Sequence, residues 1–304
     1  MPASAVITPP LLHHALGHDP VARQELSALP FGNLLVQYLN WAHRFVPRGP
    51  RRVEYVSGFW DAPVARSQGG NILDIAGRIE RGDDLTAFLS HLVHAKGYVP
   101  RHVRGSLPPE KRRWRDKDFA LNALGVHHLH ISNLPTSAGK VPRGDEIAFV
   151  EFTTEVARFV LAGTHADFHG EHLSLAVAKM RAETGFTIKG VRTRGTSRPH
   201  AELSALAAAG LSTFTNVGDQ VVPLSLLSTD GTPVFLSRQT MLIQRTLASI
   251  EPQIDNADWV SALFERAGIP MPPSVQFEWL LHCTALHLWE RVSGTYFGAV
   301  PSYR

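Results

Sequence analysis

Apolar residues recur along this chain at two spacings, and the change from one to the other marks its middle. Residues 32–45 place Leu34, Leu35, Tyr38, Leu39 and Ala42 on one side of a helix that must end before Pro47. Residues 71–94 predict two helical pieces separated around Arg81-Gly82-Asp83-Asp84. The acidic pair suits the N-terminus of the second piece, whose apolar face is Leu85, Phe88, Leu89 and Leu92. The period then drops to two. Over 126–132, Val126, His128, His130 and Ser132 fall on one face and His127, Leu129 and Ile131 on the other. Two more strand-like runs follow at 146–153 and 157–164. The turn between them at Thr154 and Glu155 is short, which favours antiparallel neighbours, so the three runs predict a meander.

After the meander the pattern predicts a helix from His172 to Thr184 and a strand over 187–194. It then predicts a helix over 201–209 ended by Gly210, and a hairpin of 211–216 with 220–227 across Val217-Gly218-Asp219. Helices are expected over 239–250, 259–267 and 275–292. The last has Phe277, Leu280, Leu281, Thr284, Leu288 and Arg291 on its packing face, and an irregular tail follows it. The class is therefore α+β: helices packed around a small antiparallel sheet, with a second α+β lobe at the C-terminal end. The expected segments are a mainly helical 1–104, a sheet core over 105–195 and a lobe over 196–304.

Composition narrows the function classes. No window approaches the roughly 18 apolar residues that a membrane span needs, and the opening residues lack the basic and apolar parts of a secretory leader. A single cysteine, Cys283, excludes an intrachain disulfide framework and a thiolate metal cluster. It points to a reducing, cytoplasmic setting and reads as a buried packing residue. Neither a Walker A loop nor a dinucleotide-binding glycine fingerprint occurs, and no cofactor is expected. The net charge is only +3, but arginine greatly outnumbers lysine and the isoelectric point is about 9.2. The 16 histidines cluster at 13–18, 91–102, 127–130 and 165–172.

Two stretches carry candidate chemistry. Residues 101–117 are the most basic part of the chain. Arg112, Arg113, Arg115 and Lys117 surround Trp114, the composition of a segment that contacts nucleic acid, or of a solvated face whose tryptophan docks on the core. The second stretch is the meander. His128 and His130 share a face with Phe149 and Glu151, and His165, Asp167 and His169 follow the third strand directly. Ionisable groups are rarely buried without partners, so this face predicts a groove. Histidine beside a carboxylate is suited to proton transfer near neutral pH. The candidate acid–base groups are His128, His130, Glu151, His165 and His169, with Arg143 or Arg115 as a phosphate clamp. The alternative for the same stretch is a metal site drawn from His128, His130, His165, Asp167 and His169. The His128-x-His130 pair loosely resembles the cupin motif, but Leu134 stands where that motif has a glutamate. His91 and His94 lack a third ligand nearby.

The order KRRWRDKDF, HHLHIS, RGDEIAFVEF and RFVLAGTHADFH, over residues 105–172, resembles the RelE/ParE type of small ribonuclease toxin. In that family a basic helical segment precedes a compact antiparallel sheet whose last strand ends in a basic or histidine-bearing tail. The resemblance implies a metal-independent endoribonuclease acting in toxin–antitoxin or phage-defence biology. RNA is its implied partner, with a protein antitoxin or a second copy of the chain as further ones. The chain departs from the family in having histidines where arginine or lysine is frequent, and in its large flanking regions. A metal-dependent hydrolase or oxygenase, and a nucleic-acid- or partner-binding protein without catalysis, are the alternatives.

Overall fold

A computed structural model describes residues 20–90, 93, 98–108, 112–131, 144–191, 198–282 and 284–301. At its centre is a four-stranded sheet in the order β1 (Arg52–Tyr55), β4 (Val156–Thr164), β3 (Glu146–Phe152), β2 (His127–His130). β2, β3 and β4 are antiparallel neighbours, β3 and β4 across the short turn that favours this pairing, and β1 joins the outer edge parallel to β4. The Pro- and Gly-broken stretch after Pro47 carries Arg51 and Arg52, and Arg52 begins β1. The strand there is only four residues long, too short to show a period. Arg51 instead spends its guanidinium on backbone carbonyls, Nε donating to Thr153 O at 2.8 Å and Nη1 to Pro47 O at 2.9 Å.

Both faces of the sheet are covered. On one, Leu129, Ala148, Val150, Phe152, Ala157 and Phe159 meet Ile72, Ile75 and Ile79 of helix α4 (Gly69–Arg81), which follows the shorter helices α1 (Pro20–Ser27), α2 (Phe31–Ala42) and α3 (Pro63–Ser67). On the other, Ile147, Phe149 and Val160 pack under Leu173 and Val177 of helix α6 (Glu171–Glu183) and Leu203 of α7 (His200–Ala208). Val222 and Leu224 of the hairpin β5 (Thr213–Val217) and β6 (Gln220–Ser225) close that side. Helix α5 (Arg101–Gly105) lies between the two groups in sequence. A strand buried on both sides carries a near-continuous apolar run, as β4 does in VARFVLAGT. Its register slips by one residue between Phe149 and Val150, which leaves Val160 as the extra residue of a bulge.

A third core joins the ends of the chain. Leu35 and Leu39 of α2 pack with Leu236, Ile243 and Leu247 of α8 (Val234–Ile250) and with Leu286 and Val300. The latter two belong to a three-stranded antiparallel sheet, β7 (Phe277–His282), β8 (Ala285–Glu290) and β9 (Thr295–Val300), which follows helix α9 (Ala257–Ala267). The molecule is thus α+β, but packing crosses both expected segment boundaries, near 104 and near 195.

This last sheet corrects the helix expected over 275–292 and the irregular tail. Phe277, Trp279 and Leu281 alternate with Glu278, Leu280 and His282, which is a period of two. Because apolar residues occur on both sides of that alternation, a subset also fits helical spacing. The buried carboxylate of Glu290 fastens the hairpin end by accepting the N–H groups of Gln276, Val292 and Ser293 at 2.9, 3.0 and 2.6 Å. The strand expected over 187–194 does not form in its described part, where Ile188 N–H donates to Val221 O of β6 at 2.9 Å. Residues 192–194, His91, His94, Ser132, Arg143 and Cys283 lie outside the described residues. No helix among the described residues is long and apolar enough to cross a membrane.

Candidate active site

The alternation of β2 decides which histidines meet. His127 turns to the α4 side, where its ring stands 5.4 Å from Phe152 and its Nε2 lies 3.2 Å from His43 O. His128 and His130 turn to the other side, opposite Phe149 and Ile147 of β3. They line a cavity of about 860 Å³, whose lining also includes Arg44, Arg115, Lys117, Asp118, His165 and His169.

His165 arrives by a separate local device. It opens a single 3₁₀ turn, His165–His169, directly after β4. Thr164 caps that turn: its N–H and hydroxyl both donate to Asp167 Oδ2, at 2.8 and 3.2 Å. A side chain at position 163 would bring its Cβ to 2.5 Å from that oxygen and push the capping carboxylate aside. The turn places the ring of His165 5.3 Å from His130 and 6.3 Å from His128, which are themselves 6.0 Å apart, measured between ring centroids. Phe168 backs the cluster, stacked on His165 at 5.8 Å and edge-on to His128 at 4.8 Å.

Two carboxylates reach the cavity: exposed Asp145, with Oδ1 3.9 Å from His165 Nδ1, and Asp118, which composition and period do not single out. Asp118 is the one tied into the fold. It precedes a tight turn of π-helical form, Ala120–Leu124, that delivers the chain to β2. One carboxylate oxygen caps this turn by accepting Leu121 N–H at 3.0 Å, and the other lies 3.2 Å from His128 Nδ1. That contact is close but poorly aligned for a linear hydrogen bond, so it acts mainly through charge. Burial alone would raise the Asp118 carboxyl. The charge and contact of His128, the Leu121 N–H and the charge of Arg44 outweigh it and hold the group at about 2. Arg44, buried at the end of α2, feels Asp118 and Asp116 as counter-charges.

His130 is 4% exposed. Burial, then the charges of His128 and His165, push its imidazolium down to about 4, against a smaller opposing effect of a hydrogen bond that the ring donates to the Gly144 carbonyl. It is therefore neutral at pH 7. His169 is also lowered, by desolvation, and its ring packs on Phe119 at 4.6 Å.

The structure gathers His128, His130, His165 and His169 as expected and separates the rest. Glu151 does not line the cavity. It accepts from Arg158 Nη1 at 2.9 Å, and the same guanidinium donates from Nε to Glu54 at 2.8 Å. Alternation gave Glu151 the right face, but it stands two residues along β3 from Phe149, the partner of His128. Asp167 is likewise not free to ligate, since it caps its own turn. Among the described residues no group of three or more His, Cys, Asp or Glu side chains stands ready to hold a metal ion.

The basic segment is corrected more heavily. Arg112 donates to Leu107 O at 2.7 Å and Gly105 O at 3.0 Å. Arg113 donates to Thr229 O at 2.8 Å and Ala208 O at 3.0 Å, and Trp114 Nε1 donates to Ala208 O at 2.8 Å. The Lys117 ammonium lies 3.3 Å from Asp116, which Arg104 reaches from its other side at 2.5 Å; the Asp116 side chain is wholly buried. These groups bind the chain to itself. Arg115 alone of the described set is both exposed and on the cavity wall. Against this geometry, no family model, no curated protein and no solved structure gives a match to the chain.

Proposed function

We propose that the cavity is the active site of a metal-independent endoribonuclease. One observation carries the reading: three imidazoles from two separate elements converge within 5.3–6.3 Å, in a cavity walled by Arg44, Arg115 and Lys117. RNA can be cut by its own 2′-hydroxyl, given a base for that proton, an acid for the departing 5′-oxygen and positive charge around the phosphate. Neutral His130 accepts the 2′ proton. Burial lowers its basicity most and the charges of His128 and His165 lower it further; a phosphodiester entering between the rings offsets the charges. The 2′-oxygen bonds to phosphorus, the bond to the 5′-oxygen breaks, and His165 gives that oxygen its proton. The products are a 2′,3′-cyclic phosphate and a free 5′-hydroxyl. Asp118 orients His128 and serves as its counter-ion while the ring faces the phosphate. Arg115 meets the phosphate from the open side.

The order of a basic segment, an antiparallel meander and a histidine-bearing exit supports the RelE/ParE-type resemblance. On that reading a cognate antitoxin would mask the cavity. The test is RNA incubated with the protein in excess EDTA. Cleavage leaving 2′,3′-cyclic ends is expected, with a bell-shaped pH–rate profile. His130→Ala and His165→Ala should each lose about two to four decades of rate and still bind RNA. A second reading, a metal-dependent reaction, would have to draw its ligands from the same three imidazoles, which as they stand form no group ready to hold a metal ion. Activity abolished by EDTA and restored by one metal would select it. Tight binding of intact RNA would select a binding protein.

A further inference from the structure

The cavity has a second kind of wall. Beside the imidazoles it is lined by the rings of Trp114, Phe119, Phe168 and His169. Phe119 stands between two of them, 4.9 Å from Trp114 and 4.6 Å from His169. Trp114 already spends its N–H on the Ala208 carbonyl, so what it offers the cavity is its ring. His169 is exposed, has no acidic partner comparable to Asp118 among the described residues, and is disfavoured as a cation by desolvation. That suits a flat, hydrogen-bonding wall better than the general acid its sequence position suggested.

We propose that Trp114, Phe119 and His169 form a nucleobase subsite and that the substrate is therefore an unpaired nucleotide of RNA; this rests on the ribonuclease reading. Access argues the same way. The phosphate must reach His128 and His130, which are only 8% and 4% exposed. A cavity of about 860 Å³ is of the size that encloses a small ligand, whereas a duplex keeps its bases stacked inside the helix and out of reach of such a site. A base turned off its strand can stack on the aromatic wall while its 3′-phosphate lies among the histidines. Base–aromatic stacking tolerates all four bases, so the subsite selects for single-strandedness before sequence.

The experiment compares three RNAs of one sequence: the single strand, the strand annealed to its complement, and the strand with an abasic ribose, 2′-hydroxyl intact, on the 5′ side of the cut bond. The single strand should be cut at least a hundredfold faster than the duplex. The abasic strand should lose roughly ten- to a hundredfold in kcat/KM, the scale of one stacked base. His169→Ala should lose a similar factor on the intact strand and nothing further on the abasic one, and His169→Phe should recover much of it. Equal losses on both strands would reduce His169 to a structural part and overturn the proposal, as would a duplex cut as fast as the single strand. If no RNA is cut, the reaction is wrong, and the subsite is decided by calorimetry with a nucleoside 3′-monophosphate against ribose phosphate. Tighter binding of the nucleotide keeps it; equal binding removes it.

Discussion

Residues 112–117 and 127–130 lie ten positions apart, and both drew attention through unusual composition. They met opposite fates. The histidine run sits on a strand, where alternation fixes direction: His127 to one side, His128 and His130 to the other, with no intermediate choice. The basic run sits on irregular backbone, where composition says nothing about direction. All its charges but Arg115 are spent on the chain itself, on carbonyls of residues 105, 107, 208 and 229 and on Asp116. A periodic element makes a residue's identity a statement about place, and a loop does not.

The contrast breaks most visibly at Asp116. Its carboxylate, wholly buried, answers both Arg104 and Lys117. Asp116→Ala strands the Lys117 ammonium, whose side chain is 2% exposed, and should cost about 3–5 kcal/mol, measured by denaturant unfolding. A loss below about 1 kcal/mol would mean that the segment faces water after all. Arg113→Ala comes next. The side chain threads between Gly210 and Gly231, both at positive φ, where a Cβ would meet its Nε and its Cγ respectively at 2.8 Å. Losing two charge-assisted bonds to carbonyls should cost about 2–3 kcal/mol, with little effect on the salt dependence of RNA binding.

The histidine strand is sharpened by pH. Folded His130 titrates at about 4 against 6.5 for the free side chain. Below 6.5 the unfolded chain binds a proton that the folded one refuses, so stability falls as pH drops from 6.5 towards 4 and is regained above 6.5. Between pH 7 and 5 this contribution is about 2 kcal/mol. His128, His165 and the Gly144 carbonyl are the groups facing His130, and His130→Asn leaves all three in place. The variant should lose about that much of the slope of melting temperature against pH. An unchanged slope would mean that His130 is not held neutral.

Much of this was readable in advance where elements are long or strictly periodic. The meander, helices α2, α6 and α9 and the β5–β6 hairpin follow from spacing and turn residues. The site was half legible. His128 and His130 came from alternation, and His165 and His169 from their place just after a strand. Asp118 and Arg44 did not, because each is brought in by packing of distant segments: Arg44 lies just past the end of α2, and Asp118 reaches His128 only after a π-form turn that no period announces. The chain's last sheet was missed because its apolar residues on both faces satisfy helical spacing as well.

The smallest expected effect is the most direct test of direction. Arg112 is exposed and donates only to the exposed carbonyls of Gly105 and Leu107, so Arg112→Ala should change stability by less than about 0.5 kcal/mol. Arg115, exposed and on the cavity wall, is the one described cation of the segment placed for a phosphate. A single phosphate contact contributes about 0.7 to the slope of log K against log salt on a single strand. Arg115→Ala should flatten the slope by that amount and Arg112→Ala should leave it unchanged, with binding followed by fluorescence anisotropy at several salt concentrations. Equal flattening by both would return the whole basic segment to the nucleic acid. No flattening by either would leave the phosphate to Arg44 and the histidines, deeper in the cavity.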